Sequence, residues 1–146
     1  MAIGITSTVS GNGKLKYSAD GTVRMTVLAT SAIVAKTGYK VIFNEFGPCT
    51  AAQADDIYNY MMGYAEVAHD SGDVFDIQVG GPIDDIITPS LSCSVGHALA
   101  MTNGAAVDAG SDYSGSTSQY AVVRTDSTTS TTQDVWLVPR YITATT

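Results

Sequence analysis

The sequence predicts an all-β protein, either a small β-barrel or a β-tulip-like sandwich of hairpins, with one short helix. Apolar and polar residues alternate with a period of two along most of the chain, which is typical of strands with one buried face. Asp-Gly and Asn-Gly pairs, which favour tight hairpin turns, interrupt that alternation. Many short strands close most simply into a barrel or sandwich, so we expect a single β domain over residues 14–146.

The first hairpin lies near the N-terminus. Residues 14–18 and 22–28 alternate as strands, and Ala19-Asp20-Gly21 between them supplies the turn. Another strand is expected over residues 39–43, directly after Gly38. The first third of the chain therefore predicts three strands.

Residues 50–62 carry the one helical signal in the sequence. Thr50 and Gln53 have the spacing of a capping box, in which each side chain bonds a backbone amide of the first turn. Asp55 and Asp56 would complement the positive end of the helix dipole. We therefore expect a helix from Thr50 to about Met62, with a structured loop as the alternative.

Two strand pairs of related sequence follow the expected helix. Residues 64–79 form a pair around a turn at Asp70-Ser71-Gly72. Residues 120–138 repeat the design, because both copies begin Tyr-Ala-x-Val and reach Asp-Ser at the same offset. The second copy has a longer polar turn at 128–133, which we expect to be mobile.

A hairpin and a loop separate these two pairs. Residues 94–102 and 105–109 flank Asn103-Gly104, a strong hairpin signal. Residues 110–118 are rich in Gly and Ser and predict a loop. Gly80-Gly81-Pro82 predicts a strand end or a β-bulge and not a phosphate-binding loop, because no helix pattern follows it.

Charge and composition exclude several classes of partner. The chain has a net charge of -7 with only 7 Lys and Arg, and it has no basic cluster that could follow a phosphate backbone. It has no apolar run long enough to cross a membrane and no signal-peptide pattern at its N-terminus. We therefore expect neither a nucleic acid nor a membrane as partner, and we expect synthesis in a cytoplasm.

Few residues offer catalytic chemistry. Cys93 and His97 are four positions apart, which along a strand separates them by about 13 Å, too far for a nucleophile and its base. Cys49 and Cys93 fit no metal or redox spacing and are expected as free thiols. Asp84 and Asp85 lack an opposing carboxylate and predict solvated loop charges. The sequence therefore predicts a protein that is not an enzyme.

The strongest metal candidate is a calcium site at His69, Asp70 and Asp73. A calcium loop needs more oxygen ligands in a fixed order. A type I turn that begins at Asp70 explains the same residues without an ion. We therefore expect no metal and no cofactor.

The predicted hairpins do not account for two apolar segments. Val135–Val138 does not alternate in hydrophobicity, so Trp136 is expected either in the core or at a subunit contact. Residues 1–13 begin with an apolar run and end in a flexible Ser-Gly-Asn-Gly stretch. They form either the first strand of the domain's own sheet or an arm that adds a strand to a partner.

The segment from Gly63 to Ile83, with its small residues, its Gly-Asp turn and its alternating second strand, resembles the head decoration proteins of tailed bacteriophages, also called cement or capsid-stabilising proteins. Val95–Leu99 and Gly104–Val107 resemble the hairpin of that family, and Tyr120–Val138 resembles its closing strand pair. The resemblance covers somewhat more than half of the chain. His97 departs from it, because the family often has Asp at that position.

The resemblance implies a structural virion protein on the capsid exterior, which bridges capsomers and stabilises the head against the pressure of packaged DNA. It also implies a homotrimer, with the major capsid protein as its partner. On this interpretation the N-terminal strand binds the capsid and the C-terminal strands form the subunit interface. The assigned residues are Ile3, Ile5 and Val9 for the capsid, and Trp136, Val138 and Tyr141 for the subunit interface.

Three other functions remain open from the sequence. Another virion part, such as a neck, tail or fibre-base domain, would also be built from hairpins. A hydrolase would depend on Cys93 or His97. A carbohydrate-binding module would use an aromatic platform formed by Tyr58, Tyr60, Tyr64, Tyr113, Tyr120 and Trp136.

Overall fold

The computed structural model describes residues 15–42, 50–53, 60–102, 105–110, 119–139 and 141–142. Within these ranges the protein has strands and turns but no helix, which confirms the all-β prediction. The strands are β1 (Leu15–Tyr17), β2 (Val23–Ala29), β3 (Thr37–Ile42), β4 (Thr50–Gln53), β5 (Tyr60–Ala65), β6 (Val74–Cys93), β7 (Ala98–Thr102), β8 (Ala105–Gly110), β9 (Gln119–Val123), β10 (Ser127–Leu137) and β11 (Tyr141–Ile142).

Five strands pair in a closed ring. β2 pairs with β4 in parallel, and the pairings β4–β3, β3–β5, β5–β6 and β6–β2 are antiparallel. The β2–β6 pairing uses only the first half of β6, from Val74 to Gly80. The ring is a small barrel whose interior is filled by apolar side chains, among them Met25, Val27, Val41 and Ile77.

A second sheet continues from the other half of β6. Its order is β6–β10–β9–β7–β8, and every pairing in it is antiparallel. The side chains of Ile86, Leu99, Val135 and Leu137 form the centre of a second hydrophobic cluster on this sheet. The protein thus has two apolar cores, one inside the ring and one against the second sheet.

Strand β5 lies between the two cores. Met61 and Ala65 belong to the ring cluster, while Met62 and Tyr64 belong to the second cluster. Alternate side chains of a strand point to opposite faces, so both faces of β5 are buried. This explains why the segment is apolar on both faces.

Strand β6 spans 20 residues and passes from the ring into the second sheet. The register changes between Val23↔Gly80 and Arg24↔Gln78, which leaves one extra residue on β6. The extra residue is Val79, so a bulge lies directly before the Gly-Gly-Pro segment, and the alternative of a strand end is wrong because β6 runs through that segment. A bulge bends its strand, and here it directs β6 toward a new set of neighbours.

The predicted helix is wrong wherever the structure describes it. Thr50–Gln53 is β4, which lies between β2 and β3, and Tyr60–Met62 belongs to β5. Residues 54–59 lie outside the described residues. A capping side chain stabilises a helix by roughly 1 kcal/mol, whereas β4 gains backbone partners on both edges and closes the ring.

The polar turn predicted at 128–133 is also wrong, because β10 runs through it and pairs with β6 as far as Ser127↔Cys93. Its inward positions are polar and bond to one another. The Ser127 hydroxyl donates to the side-chain oxygen Oε1 of Gln133 at 2.6 Å. The side-chain nitrogen Nε2 of Gln133 donates to the Ser130 backbone oxygen at 3.1 Å. Gln133 is 2% exposed, so buried and exposed positions alternate here even though the buried side chain is polar.

The predicted hairpins are confirmed. β1 pairs with β2 around a turn in which Gly21 N donates to Ser18 O, and β7 pairs with β8 across Thr102↔Ala105. At the next turn Asp73 N donates to Asp70 O. Gly72 there has a φ of 92°, which fits a type II turn and not the predicted type I turn.

Residues 1–14 lie outside the described residues, and these include the predicted capsid-binding residues Ile3, Ile5 and Val9. The assignment of this segment as an arm or an edge strand therefore stays a prediction, as does a single domain over residues 14–146. In the part of the chain that is described, no helix is long and apolar enough to span a bilayer.

Candidate functional site

The predicted subunit interface begins on β10. Val135 and Leu137 are fully buried, whereas Trp136 between them is 45% exposed and Val138 is also exposed. The segment therefore alternates in burial, and the core alternative for Trp136 is wrong. Tyr141 lies on β11, which pairs with β5, and its side chain is outside the described residues. A contact between subunits through these residues stays a prediction.

Trp136 lies over the turn of the first hairpin. Its ring atom Cη2 is 3.4 Å from the position that a β-carbon on Gly21 would take. On the neighbouring strand it pairs with Pro82. The indole thus covers the point where the ring and the second sheet meet, and about half of it remains open to solvent.

No hydrogen bond joins Cys93 and His97 in the part of the chain that the structure describes. Burial raises the pKa of the Cys93 thiol, and the negative charge of Asp108 raises it further, so the thiol stays protonated and weakly nucleophilic. His97 Nδ1 lies 3.1 Å from the Asp108 carboxylate, and this carboxylate also accepts a hydrogen bond from Gly110 N. Cys49 lies outside the described residues.

The candidate calcium residues form a turn. The His69 ring stacks on Phe75 with 4.0 Å between centroids, and its Nδ1 is 4.0 Å from the Asp73 carboxylate. That carboxylate accepts a hydrogen bond from Asp70 N at 2.9 Å. Across the described ranges, no group of three or more His, Cys, Asp or Glu side chains is placed to hold a metal ion.

The six aromatic residues of the carbohydrate hypothesis do not share a surface in the described residues. Tyr64 and Tyr120 are 6% and 2% exposed and belong to the second hydrophobic cluster. Tyr58, Tyr113 and the side chain of Tyr60 lie outside the described residues. Of the described members only Trp136 has a ring that could stack on a sugar.

The structure assembles a polar groove that the sequence did not predict. It has a volume of about 320 Å³ and lies where strands of the ring meet the second half of β6. Its lining is mostly charged or hydrogen-bonding. The lining residues are Thr22, Arg24, Lys36, Tyr64, Glu66, Gln78, Pro82, Ile83, Asp84 and Asp85.

The floor of the groove is held by Gln78 and Tyr64. Gln78 is buried, and its amide nitrogen donates to Gly80 O at 3.0 Å and to Pro82 O at 3.1 Å. These bonds fix the backbone beside the bulge. Burial raises the pKa of the Tyr64 hydroxyl, and the carboxylates of Glu66, Asp85 and Asp84 add to the shift.

One rim of the groove is the Asp84-Asp85 pair, which lies on β6 and not in the predicted loop. Asp84 contacts the Arg124 guanidinium, and Arg124 also donates to Ile83 O at 3.1 Å. Asp85 Oδ2 is 3.9 Å from Lys36 Nζ, and both of these side chains are more than half exposed. Asp84 thus pairs directly with Arg124 although its side chain is 83% exposed, whereas Asp85 is only loosely paired.

Sequence reasoning missed this groove because its members are far apart along the chain. Arg24 and Gln78 could have been noticed, because each is a polar residue between two buried apolar residues of its strand. The contribution of Lys36 and Glu66 depends on how β3 and β5 pair with their neighbours, and no local pattern indicates that.

No family model matches the chain, and no curated protein matches it. Among solved structures, the head fiber gp8.5 N base of bacteriophage phi29 is similar, with a TM-score of 0.53 and 15% sequence identity. The similarity covers 82% of this chain and 97% of that one. At this level of identity the likeness concerns the architecture alone, and the chain has the fold of the base of a phage head fibre.

Proposed function

We propose that the protein is a structural component of a bacteriophage head that binds the outer surface of the capsid. The observation that carries the proposal is the fold, which matches almost the whole base of a phage head fibre. The resemblance of residues 63–83, 95–99, 104–107 and 120–138 to head decoration proteins supports the same location. The groove and the exposed Trp136 face are then surfaces for protein partners, and we propose no enzymatic activity.

The composition is consistent with this role. Charged residues are only 14% of the chain, so its many Ser and Thr side chains supply much of the polar surface. Such a surface can pack against neighbouring proteins without desolvating many charges. The net charge of -7 repels packaged DNA, which favours attachment from outside. Many identical weak contacts around a capsid add up through avidity.

Within this proposal we place the protein first as a decoration protein, which sits as a trimer at three-fold positions, contacts the major capsid protein and stabilises the head. The alternative is the base domain of a fibre, which anchors a projecting structure to the head. The similarity to a fibre base over 97% of that chain favours this alternative specifically.

Binding to heads tests the proposal. Purified protein is mixed with expanded heads that lack it, and the product is examined by co-sedimentation and electron cryo-microscopy. We expect density on the outer capsid surface. Failure to bind heads, or density only at the neck or tail, would contradict the proposal.

Heat resistance of the heads separates the two forms of the proposal. A decoration protein bridges capsomers, so its binding should raise the temperature at which packaged DNA is released. A fibre base should bind without changing that temperature. Deletion of residues 2–9 should weaken binding to heads while the far-ultraviolet circular dichroism spectrum stays unchanged, if this segment is an arm.

A further inference from the structure

The groove beside Tyr64 carries an inference about how the protein is recognised. The Tyr64 side chain is 6% exposed, and its ring packs in the second hydrophobic cluster. The part that remains accessible lines the groove. The Tyr64 hydroxyl makes no hydrogen bond to any residue that the structure describes. The hydroxyl oxygen is not sealed from solvent, so a group that enters the groove can bond it.

Carboxylates lie near this hydroxyl, and two cations, Arg24 and Lys36, line the same groove. Glu66 lines the groove and has neither a hydrogen bond nor an ion pair in the described part of the chain. Asp85 is held only by the long contact to Lys36, at 3.9 Å. The amide nitrogen of Gln78 is committed to two backbone carbonyls, so this side chain can offer only its oxygen. Oxygen atoms of these side chains thus border one groove, which Thr22 and Asp84 also line.

We propose that this groove receives the side chain of an Arg or Lys from a head protein, with the Glu66 and Asp85 carboxylates and the Tyr64 hydroxyl as its acceptors. The proposal rests on the function proposed above. A guanidinium matches the groove best, because its planar set of donors can bond a carboxylate and a hydroxyl at once. When no partner is bound, the Lys36 ammonium lies beside the Asp85 carboxylate, where the cation of the partner would bind.

The cations of this chain explain why the partner is a different protein. Lys16 is bound to Asp76, and Arg124 to Asp84. Lys40 is buried, and the two remaining cations of the described ranges, Arg24 and Lys36, line the groove themselves. Only Lys14 and Arg140 lie outside the described residues. A second copy therefore has few basic side chains to offer.

The chemistry of the groove is tested without heads. N-acetyl-arginine amide is titrated into isotope-labelled protein, and amide shifts are followed by nuclear magnetic resonance. We expect saturable shifts at Tyr64, Glu66 and Gln78. Glu66→Gln should weaken binding roughly two- to fivefold, the value of one exposed charge pair. Lys36→Asn, which removes the competing cation and suits the φ of 58° at this position, should strengthen it.

Asp70→Asn is the matched control, because it removes one negative charge from an exposed turn that does not line the groove. It should leave the affinity for the probe unchanged. Absence of saturable shifts at the groove overturns the proposal, and so does equal binding by the wild type and Glu66→Gln.

The identity of the partner is tested with heads. Glu66→Lys should reduce binding to heads, while Asp70→Lys should bind as the wild type does.

If the probe binds and Glu66→Lys still binds heads normally, the groove takes a cation but the head partner is overturned. If Glu66→Lys instead breaks the oligomer in the absence of heads, the occupant is a second copy and the proposal is overturned. If the wild type does not bind heads, the proposed function fails, and the probe titration still decides the chemistry of the groove.

Discussion

Gly81 lies so close to the backbone of Gly21 that a β-carbon on Gly81 would stand 2.5 Å from the Gly21 carbonyl oxygen. Gly81 also has a φ of 100°, a conformation that residues with side chains rarely adopt. The contact joins the turn of the first hairpin to the middle of β6. At this point the first hairpin turn and β6 approach so closely that only glycine fits.

Gly81→Ala should lower the free energy of unfolding by about 2–4 kcal/mol, because backbone strain and steric overlap add. Urea denaturation followed by Trp136 fluorescence measures the loss. Gly72→Ala is the control, since Gly72 has a φ of 92° but no atom within 4 Å of the added carbon. Gly72→Ala should lower the free energy of unfolding by less than Gly81→Ala does. Equal losses would show that the steric overlap with Gly21 does not contribute.

Arg124 should be more important than its exposed position suggests. Its Nε donates to Val135 O at 3.0 Å, and its Nη2 donates to Ile83 O at 3.1 Å, so it links β10 and β6. Arg124→Lys should lower the free energy of unfolding by about 1–3 kcal/mol, because an ammonium cannot reach both carbonyls. Asp84→Asn keeps both bonds and should cost less. A larger loss in Asp84→Asn would assign the effect to the ion pair.

Asp76 should make the free energy of unfolding depend on pH in the acidic range. Burial by itself raises the pKa of the Asp76 carboxyl, but hydrogen bonds from Thr26 and Lys16 and the Lys16 charge outweigh it, so the pKa lies below its ordinary value. A lowered pKa in the folded state stabilises the fold above the unfolded-state pKa of about 4, and this contribution disappears as the pH falls through the folded-state pKa.

The measurement is the free energy of unfolding between about pH 5 and pH 2. Asp76→Asn should flatten the decline toward low pH. Asp70→Asn removes an acidic residue outside this network and should keep the wild-type slope. If Asp76→Asn keeps the wild-type slope, the contacts of Asp76 with Thr26 and Lys16 do not make the free energy of unfolding depend on pH.

Cys93 should react slowly with thiol reagents in the folded protein. It is buried at the end of β6, and burial together with the Asp108 charge raises the pKa of its thiol. In a Cys49→Ser background, disulfide-exchange reagents should modify Cys93 only after unfolding. Rapid modification at pH 8 without loss of structure would contradict both the burial and the raised pKa.

Trp136 is expected to support the trimer that we propose for a decoration protein. Trp136→Asp should convert the assembly to monomers in light scattering, with little effect on the circular dichroism spectrum, because the indole is half exposed in the single chain. Val67→Asp places the same charge on another exposed apolar residue and should leave the trimer intact. A wild type that is monomeric at high concentration would remove the basis of this prediction.

Sequence reasoning predicted those parts of the fold that local signals specify. The Asp-Gly and Asn-Gly turns fix their hairpins within a few residues, and both hairpins are present. Thr50–Gln53 was predicted as a helix because its capping pattern is local, whereas its strand partners Tyr39–Ile42 and Leu28–Ala29 are brought to it only by ring closure. The groove is nonlocal in the same sense, since residues from Thr22 to Asp85 line it.

The length of β6 has a mechanical consequence. Its 20 residues pair with β2 over one half and with β10 over the other, and the backbone hydrogen bonds run perpendicular to the strand. A tensile force applied along this strand loads those bonds in shear, all at once, instead of opening them one after another. A protein fixed to a shell that swells under internal pressure would thus carry the load through one continuous strand, which passes close to the first hairpin turn at Gly81.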